Sequence, residues 1–412
     1  MGTLKVRKTV LMIGCFDTKG EDFKYLHTCI ERQGLSVISI NTGVRGTTTE
    51  FLVDYEAEEV ASVAGADLIQ LREEGDRGKA LQKLGEGAAI IISKLLAGNK
   101  IDGAIGMGGG GGTYLALSAM QAIPLGVPKL CLTTLATKDL SDQIGTKDIT
   151  LMPSVVDVAG LNSISRQLIN QAAGAICGMV NAGKAEQAQT MGSIAISIFG
   201  NTTPCVDKCS ALLKDMGYDV LTFHAVGVGG KTMEALILEG CFDAVLDITT
   251  TELADNLCGG ICSAGPNRLT AASEMGIPQV VVPGCLDMVN FGAMDTVPEK
   301  YKKRNLYCWD PNVTLLRTDE EENKALGTEL AEKLNKSTGE VAVLLPLGGI
   351  SQVSIKGNTF YDPKADQVLF DSIKSNLKDS IVVEELDAAI NDPVFAERSV
   401  EVLLRLMGSS KK

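Results

Sequence analysis

The run Gly106-Met107-Gly108-Gly109-Gly110-Gly111-Gly112-Thr113 constrains this chain more than any other segment. It follows Ile101-Asp102-Gly103-Ala104-Ile105 and precedes Tyr114-Leu115-Ala116-Leu117, so a strand, a glycine loop and a helix start are expected in that order. Glycines tolerate positive φ and leave the main chain open to a ligand, while the first helical N–H groups and the helix dipole favour an anion. A phosphate or carboxylate is the expected guest. The P-loop pattern does not apply, because Gly112 stands where its lysine belongs.

A chain of 412 residues that is 45% hydrophobic but only 4% aromatic has the material for an aliphatic α/β core in two or three domains. Its formal net charge of −13 argues against nonspecific attraction to nucleic acid or anionic membranes. Any anionic ligand is therefore expected to be small and locally held. Eleven cysteines, an odd number without a C-x-x-C pair, sit in apolar runs such as Lys129-Leu130-Cys131-Leu132 and suit a reducing, cytoplasmic setting. The basic start reaches Asp17 too early for a signal peptide, and no apolar run approaches the roughly 20 residues of a membrane span.

Period and punctuation predict two halves on one plan. Thr9–Gly14 reads as a buried strand, Glu21–Gln33 as a helix closed by Gly34, and Leu35–Ile40 as a second strand. The order returns with a strand at Ser193–Phe199, a helix at Cys205–Met216 closed by Gly217, and a strand at Tyr218–Phe223. Phe242-Asp243-Ala244-Val245-Leu246 then matches Ile101–Ile105, and Gly276–Val282 matches Gly126–Leu132. Two Rossmann-like α/β domains with mainly parallel sheets, an internal duplication and a ligand cleft between them are expected, with residues 1–187 forming the first and 188–412 the second.

Ligands of open α/β sheets bind beyond the carboxyl ends of the strands. In the first half these ends carry Asp17, Thr18 and Lys19, the glycines Gly108, Gly109, Gly110, Gly111 and Gly112, and the hydroxyls of Thr113 and Thr134. Lys19 suits a phosphate, Asp17 a ribose hydroxyl or a magnesium ion, and Thr113 can donate to a ligand oxygen or hold a metal's water. The second half is richer in ionisable groups. His224, Asp247 and Glu252 are its acid/base candidates, and Thr202, Thr203, Lys231, Thr250, Arg268 and Asp287 its substrate-binding candidates. Cys205 stands at a helix start, where thiol pKa values fall, but no second histidine accompanies it. Cys258 and Cys262 have poor zinc spacing, and no metal centre is expected from them.

Longer segments carry a family resemblance: Gly106–Thr113, Pro153-Ser154-Val155-Val156-Asp157, Thr202–Val206, Phe223–Lys231, Leu246–Glu252 and Leu286–Gly292, extended by Tyr361-Asp362-Pro363 and Asn391–Ala396. On these the chain resembles the uncharacterised protein family that includes the ATP-binding, amino-terminal domain of the tomato mosaic virus resistance protein. The resemblance implies two Rossmann-like subdomains, nucleotide binding in the first, and association into dimers or larger homo-oligomers. It implies no reaction.

Together these point to a cytoplasmic protein that binds ATP with magnesium. One reading makes it an enzyme acting on a small carboxylated or phosphorylated metabolite, and the other a noncatalytic, nucleotide-dependent module acting through a protein partner. A dinucleotide-binding dehydrogenase is disfavoured, since Asn41-Thr42 stands where an acidic residue would bind ribose.

Overall fold

The computed structural model describes residues 7–183 and 189–409. The chain divides into two compact units, Met1–Gln187 and Ala188–Lys412, each with its own sheet and core. The boundary expected near residue 187 lies outside the described residues.

Unit 1 runs β1 (Thr9–Gly14), α1 (Phe16–Arg32), β2 (Ser36–Asn41), α2 (Ala57–Val63), α3 (Leu68–Glu74), α4 (Arg77–Ala97), β3 (Gly103–Gly108), α5 (Gly110–Met120), β4 (Lys129–Thr133), α6 (Ser141–Ile144), β5 (Ile149–Pro153) and α7 (Ser163–Ala182). Its parallel sheet has the order β2-β1-β3-β4-β5. Alternate residues of β1 enter opposite cores. Leu11 and Ile13 pack with the helices of residues 57–97 and α5, whereas Val10 and Met12 pack with α1 and α7. Both faces are thus covered, as parallel strands require, and each fully buried aliphatic side chain contributes roughly 1.5–3 kcal/mol.

Unit 2 runs β6 (Ser193–Ile198), α8 (Thr203–Asp215), β7 (Asp219–His224), α9 (Val228–Leu238), β8 (Ala244–Thr249), α10 (Thr251–Cys258), α11 (Ala271–Met275), β9 (Gln279–Gly284), β10 (Met288–Phe291), β11 (Leu306–Asp310), β12 (Val313–Arg317), α12 (Glu320–Leu334), β13 (Val341–Pro346), α13 (Pro363–Asn376), β14 (Val382–Leu386) and α14 (Pro393–Ser409). The parallel sheet reads β14-β13-β9-β8-β6-β7. Its first five strands in chain order, β6, β7, β8, β9 and β13, therefore follow the winding of unit 1, with β14 added beyond β13. An antiparallel sheet, β10-β12-β11, is inserted between β9 and β13.

Three local expectations change. The helix placed at Glu21–Gln33 begins at Phe16, so Asp17, Thr18 and Lys19 lie in its first turns rather than in a loop. Strand β3 continues to Gly108 and α5 begins at Gly110, which reduces the expected glycine loop to Gly109 alone. Residues 57–97, for which no element was expected, form three helices, the last two joined by Gly75 in the left-handed region (φ 67°) and by Asp76, whose side chain caps α4 at the N–H of Lys79 (3.0 Å).

The strand-to-helix turn explains why glycines accumulate there. A Cβ on Gly108 would lie 2.9 Å from the Cα of Gly112, while one on Gly110 would meet nothing within 4 Å. Gly108→Ala should therefore cost about 1–3 kcal/mol in chemical denaturation. Gly110→Ala should be neutral or stabilising by up to about 1 kcal/mol. Equal effects of the two substitutions would contradict this packing.

Candidate functional site

In unit 1 the carboxyl ends of β1, β2 and β3 open on a cavity of about 640 Å³. The amino end of α5 forms one wall through Gly109–Gly112, and Asp17, Thr18 and Lys19 of α1 form another. The first turn of a helix presents N–H groups without intrahelical partners, so this wall is electropositive. The cations are more numerous than the sequence suggested: Arg45, Arg72 and Arg77 join Lys19 on the lining. The guanidinium of Arg77 lies over the helix end, with Nη2 3.0 Å from where a Cβ on Gly111 would sit. Arg72 donates from Nε to the carbonyl of Val44 (2.8 Å), which ties α3 to the segment after β2.

Asp17 is the carboxylate of this wall. Its Oδ2 accepts from the N–H of Arg45 (2.8 Å), while its buried Oδ1 has no protein partner. A Cβ on Gly43 would overlap this carboxylate, so glycine at that position is what gives it room. Burial pushes the nearby Cys15 thiol up, against a hydrogen bond with Thr42, and keeps it protonated. Asn41 is structural. Its Oδ1 accepts from the N–H groups of Phe16 (3.1 Å) and Gly43 (2.9 Å), and its Nδ2 donates to Gly46 and Glu56.

Two hydroxyls stand apart from this cavity. Thr113 is buried, its Oγ1 donating to the carbonyl of Gly108 (3.2 Å) and sharing a hydrogen bond with Thr133 (2.6 Å), so it locks α5 to β3 and β4 instead of facing a ligand. Thr134 lines a neighbouring cavity instead.

Of the candidates of unit 2, Asp247, Glu252 and Arg268 are brought together, but around one another. Arg268 is 1% exposed. Its guanidinium holds Asp247 through two bonds (2.6 Å each), Glu252 from Nε (2.6 Å) and Glu234 from Nη1 (3.1 Å). Glu234 in addition accepts from the main-chain N–H groups of Leu269, Thr270 and Ala271. Glu252 accepts from Gly227 (2.8 Å) and Gly230 (3.1 Å), and a Cβ on Gly230 would overlap its carboxylate. Burial raises the pKa of Glu252, while Arg268 opposes the rise.

Arg268, expected as a fork for a substrate anion, is thus filled by carboxylates of its own unit. The threonines are likewise engaged: Thr202 with Thr249 (2.8 Å), Thr203 with the carbonyl of Phe199 (3.1 Å), and Thr250 with that of Val282 (3.2 Å). His224 and Lys231 are exposed, and the His224 ring meets Phe199 edge-on at 5.7 Å. Cys205 departs from its expected low pKa, because the neighbouring Cys209 and burial hold the thiol well above its ordinary value. Asp287 is fully buried, its Oδ2 accepting from Ser351 (2.7 Å), and desolvation raises its pKa against the opposing charge of Arg317.

Arg45, Arg72, Arg77 and Asp157 were missed because charged residues in polar segments read as solvated surface. The usable signal was Gly75-Asp76, a helix stop and start that sets Arg77 at the first position of α4.

Two predictions concern unit 2. Arg268→Met should destabilise the protein by about 3–5 kcal/mol, since it strands buried carboxylates, and the loss should shrink at low pH as they protonate. Denaturation of wild type and variant at pH 5 and pH 8 tests this. Burial also pushes Asp255 up to about 7, against hydrogen bonds from Asn290 and the N–H of Cys262. Between its unfolded value near 4 and about 7 the folded state holds a proton that the unfolded chain has lost, so this group makes stability fall as pH rises through that window. Asp255→Asn should remove about one proton from the slope of denaturation midpoint against pH. An unchanged slope would contradict the assignment.

Comparison with known proteins places both units in one family. The N-terminal domain model of the uncharacterised protein family UPF0261 matches residues 8–185, and its C-terminal domain model matches residues 192–407. A UPF0261 protein of Clostridium tetani is 43% identical over 98% of this chain and 100% of its own. The ToMV susceptible protein tm-1(GCR26) of Solanum lycopersicum is 35% identical over 97% of this chain, and the resistance protein Tm-1(GCR237) 34% identical over 98%. In both plant proteins the match spans 56% of their length. The chain belongs to the uncharacterised protein family UPF0261.

Proposed function

We propose that unit 1 binds the phosphate groups of a nucleotide, ATP with magnesium, against the amino end of α5. One observation carries this reading: a single cavity of about 640 Å³ joins the Gly109–Gly112 helix end to Lys19, Arg45, Arg72 and Arg77. A helix N-terminus and guanidinium groups both match phosphate oxygens, and four cations exceed the three carboxylates of Asp17, Asp76 and Asp157 on the same lining. Asp17 fits a magnesium ion, since its partnerless Oδ1 and the room left by Gly43 describe an oxygen ligand waiting for a cation. The eleven free cysteines suit a reducing cytoplasm. Among the described residues no helix is long and apolar enough to cross a membrane.

The closed Arg268 network of unit 2 supports a structural role for Asp247, Glu252 and Arg268 over acid/base catalysis there.

ATP with magnesium at 100 times its Kd should add about 2.7 kcal/mol of stability, visible as a rise in melting temperature. Gly109→Val should abolish that rise while leaving the protein folded. A Cβ at this position meets Thr134 and Asp157 only at ordinary contact distance, 3.7 and 3.8 Å, while the larger side chain would narrow the cavity that Gly109 lines. Absence of any shift in wild type, with no heat of binding by calorimetry, would overturn the reading.

A further inference from the structure

The turn after β5 sets one carboxylate between two cavities. Asp157 lines the phosphate cavity and also a second one of about 610 Å³ at the ends of β4 and β5. Gly109 stands at the junction: a Cβ there would lie 3.7 Å from Thr134 Oγ1, which lines the second cavity, and 3.8 Å from Asp157 Oδ1.

Charge separates the two spaces. The first carries one lysine and three arginines, whereas the second is lined by threonines, a serine and small aliphatic groups, with Asp157 its only ionisable lining residue. An anion in the second cavity would face a carboxylate without a compensating cation, while a neutral molecule bearing hydroxyl groups meets hydroxyls and a proton acceptor. The turn itself is tightly held. Val155, 77% exposed, adopts φ 61°, a conformation β-branched residues rarely keep, and the Ser154 hydroxyl donates to the carbonyl of Val156 (2.7 Å).

We propose that unit 1 is a phosphotransferase: Asp157 takes the proton from a hydroxyl of a neutral polyhydroxylated small molecule in the second cavity as that oxygen attacks the terminal phosphorus of the nucleotide. This rests on the nucleotide reading above. The acceptor oxygen forms the new O–P bond, and the bond from phosphorus to the bridging β–γ oxygen breaks. The nucleoside diphosphate leaves with the electron pair, and the acceptor's proton ends on the Asp157 carboxylate. In the absence of acceptor, water enters the same open cavity and slowly attacks the terminal phosphorus, its proton passing to the same base.

The test uses the full chain with magnesium-ATP, in water alone and with a panel of neutral polyols (glycerol and four- to six-carbon sugar alcohols) beside the matching sugar acids. Release of ADP and formation of a phosphate ester, the latter by phosphorus NMR, are followed together with ATP affinity by calorimetry. Wild type should cleave ATP, faster with a polyol than with a sugar acid. Asp157→Asn should lose about 100-fold or more in turnover while still binding ATP, and Ala136→Phe, which fills the second cavity, should raise the polyol KM. ATP binding without cleavage in water or with any polyol, or equal turnover by Asp157→Asn, overturns the transfer and leaves nucleotide binding standing. Absence of ATP binding removes both readings.

Discussion

The candidate site of unit 1 depends on one close approach of main chain to main chain, that of Gly108 to Gly112. No side chain fits between β3 and the first turn of α5, so the strand becomes a helix across the single residue Gly109. That short turn aims the free N–H groups of α5 along the carboxyl edge of the sheet. The buried Thr113–Thr133 hydrogen bond then ties the turn to β4. Asp17, Arg77 and Asp157 line one cavity with the helix end held there.

The two units share a winding and treat their carboxyl edges differently. In unit 1 the edge is open and lined with cations that have room for an anion. The corresponding edge of unit 2 is filled from within. Arg268 stands where a ligand cation would be useful and is surrounded by Asp247, Glu252 and Glu234, two of them also bonded by main-chain N–H groups. A guanidinium so enclosed fixes α9, β8 and α10 against one another, and the cost of desolvating four charges is offset only while all partners are present. The same residue types thus line an open cavity in one unit and serve packing in the other.

The second cavity of unit 1 gives the open edge a direction. A cationic space lies beside a neutral, hydroxyl-lined one, with one carboxylate at their junction, and under the proposed transfer the first would hold phosphate and the second would present an acceptor. Neither task requires a histidine. Both histidines lie elsewhere, His27 within α1 and His224 at the end of β7.

By itself the sequence determined the two α/β halves, the strand–glycine–helix junction and the presence of Asp17, Thr18, Lys19 and Gly108–Gly112 at the carboxyl edge of the first sheet. These follow from local periodicity and from the absence of side chains, which neighbouring residues alone impose. Tertiary structure decided the rest. Thr113 has the residue type of a phosphate ligand and turned out to be an internal clamp, because the partner of a hydroxyl depends on which strand lies beside it. Arg268 read as a fork for a substrate and is a packing group, since its carboxylates come from 16 to 34 residues away along the chain. Arg45, Arg72, Arg77 and Asp157 were given no site role by the sequence and line the cavity, because β2, α3, α4 and β5 converge on it only after the sheet is wound. Charge and hydroxyl chemistry are written residue by residue, but their direction is a property of long-range packing.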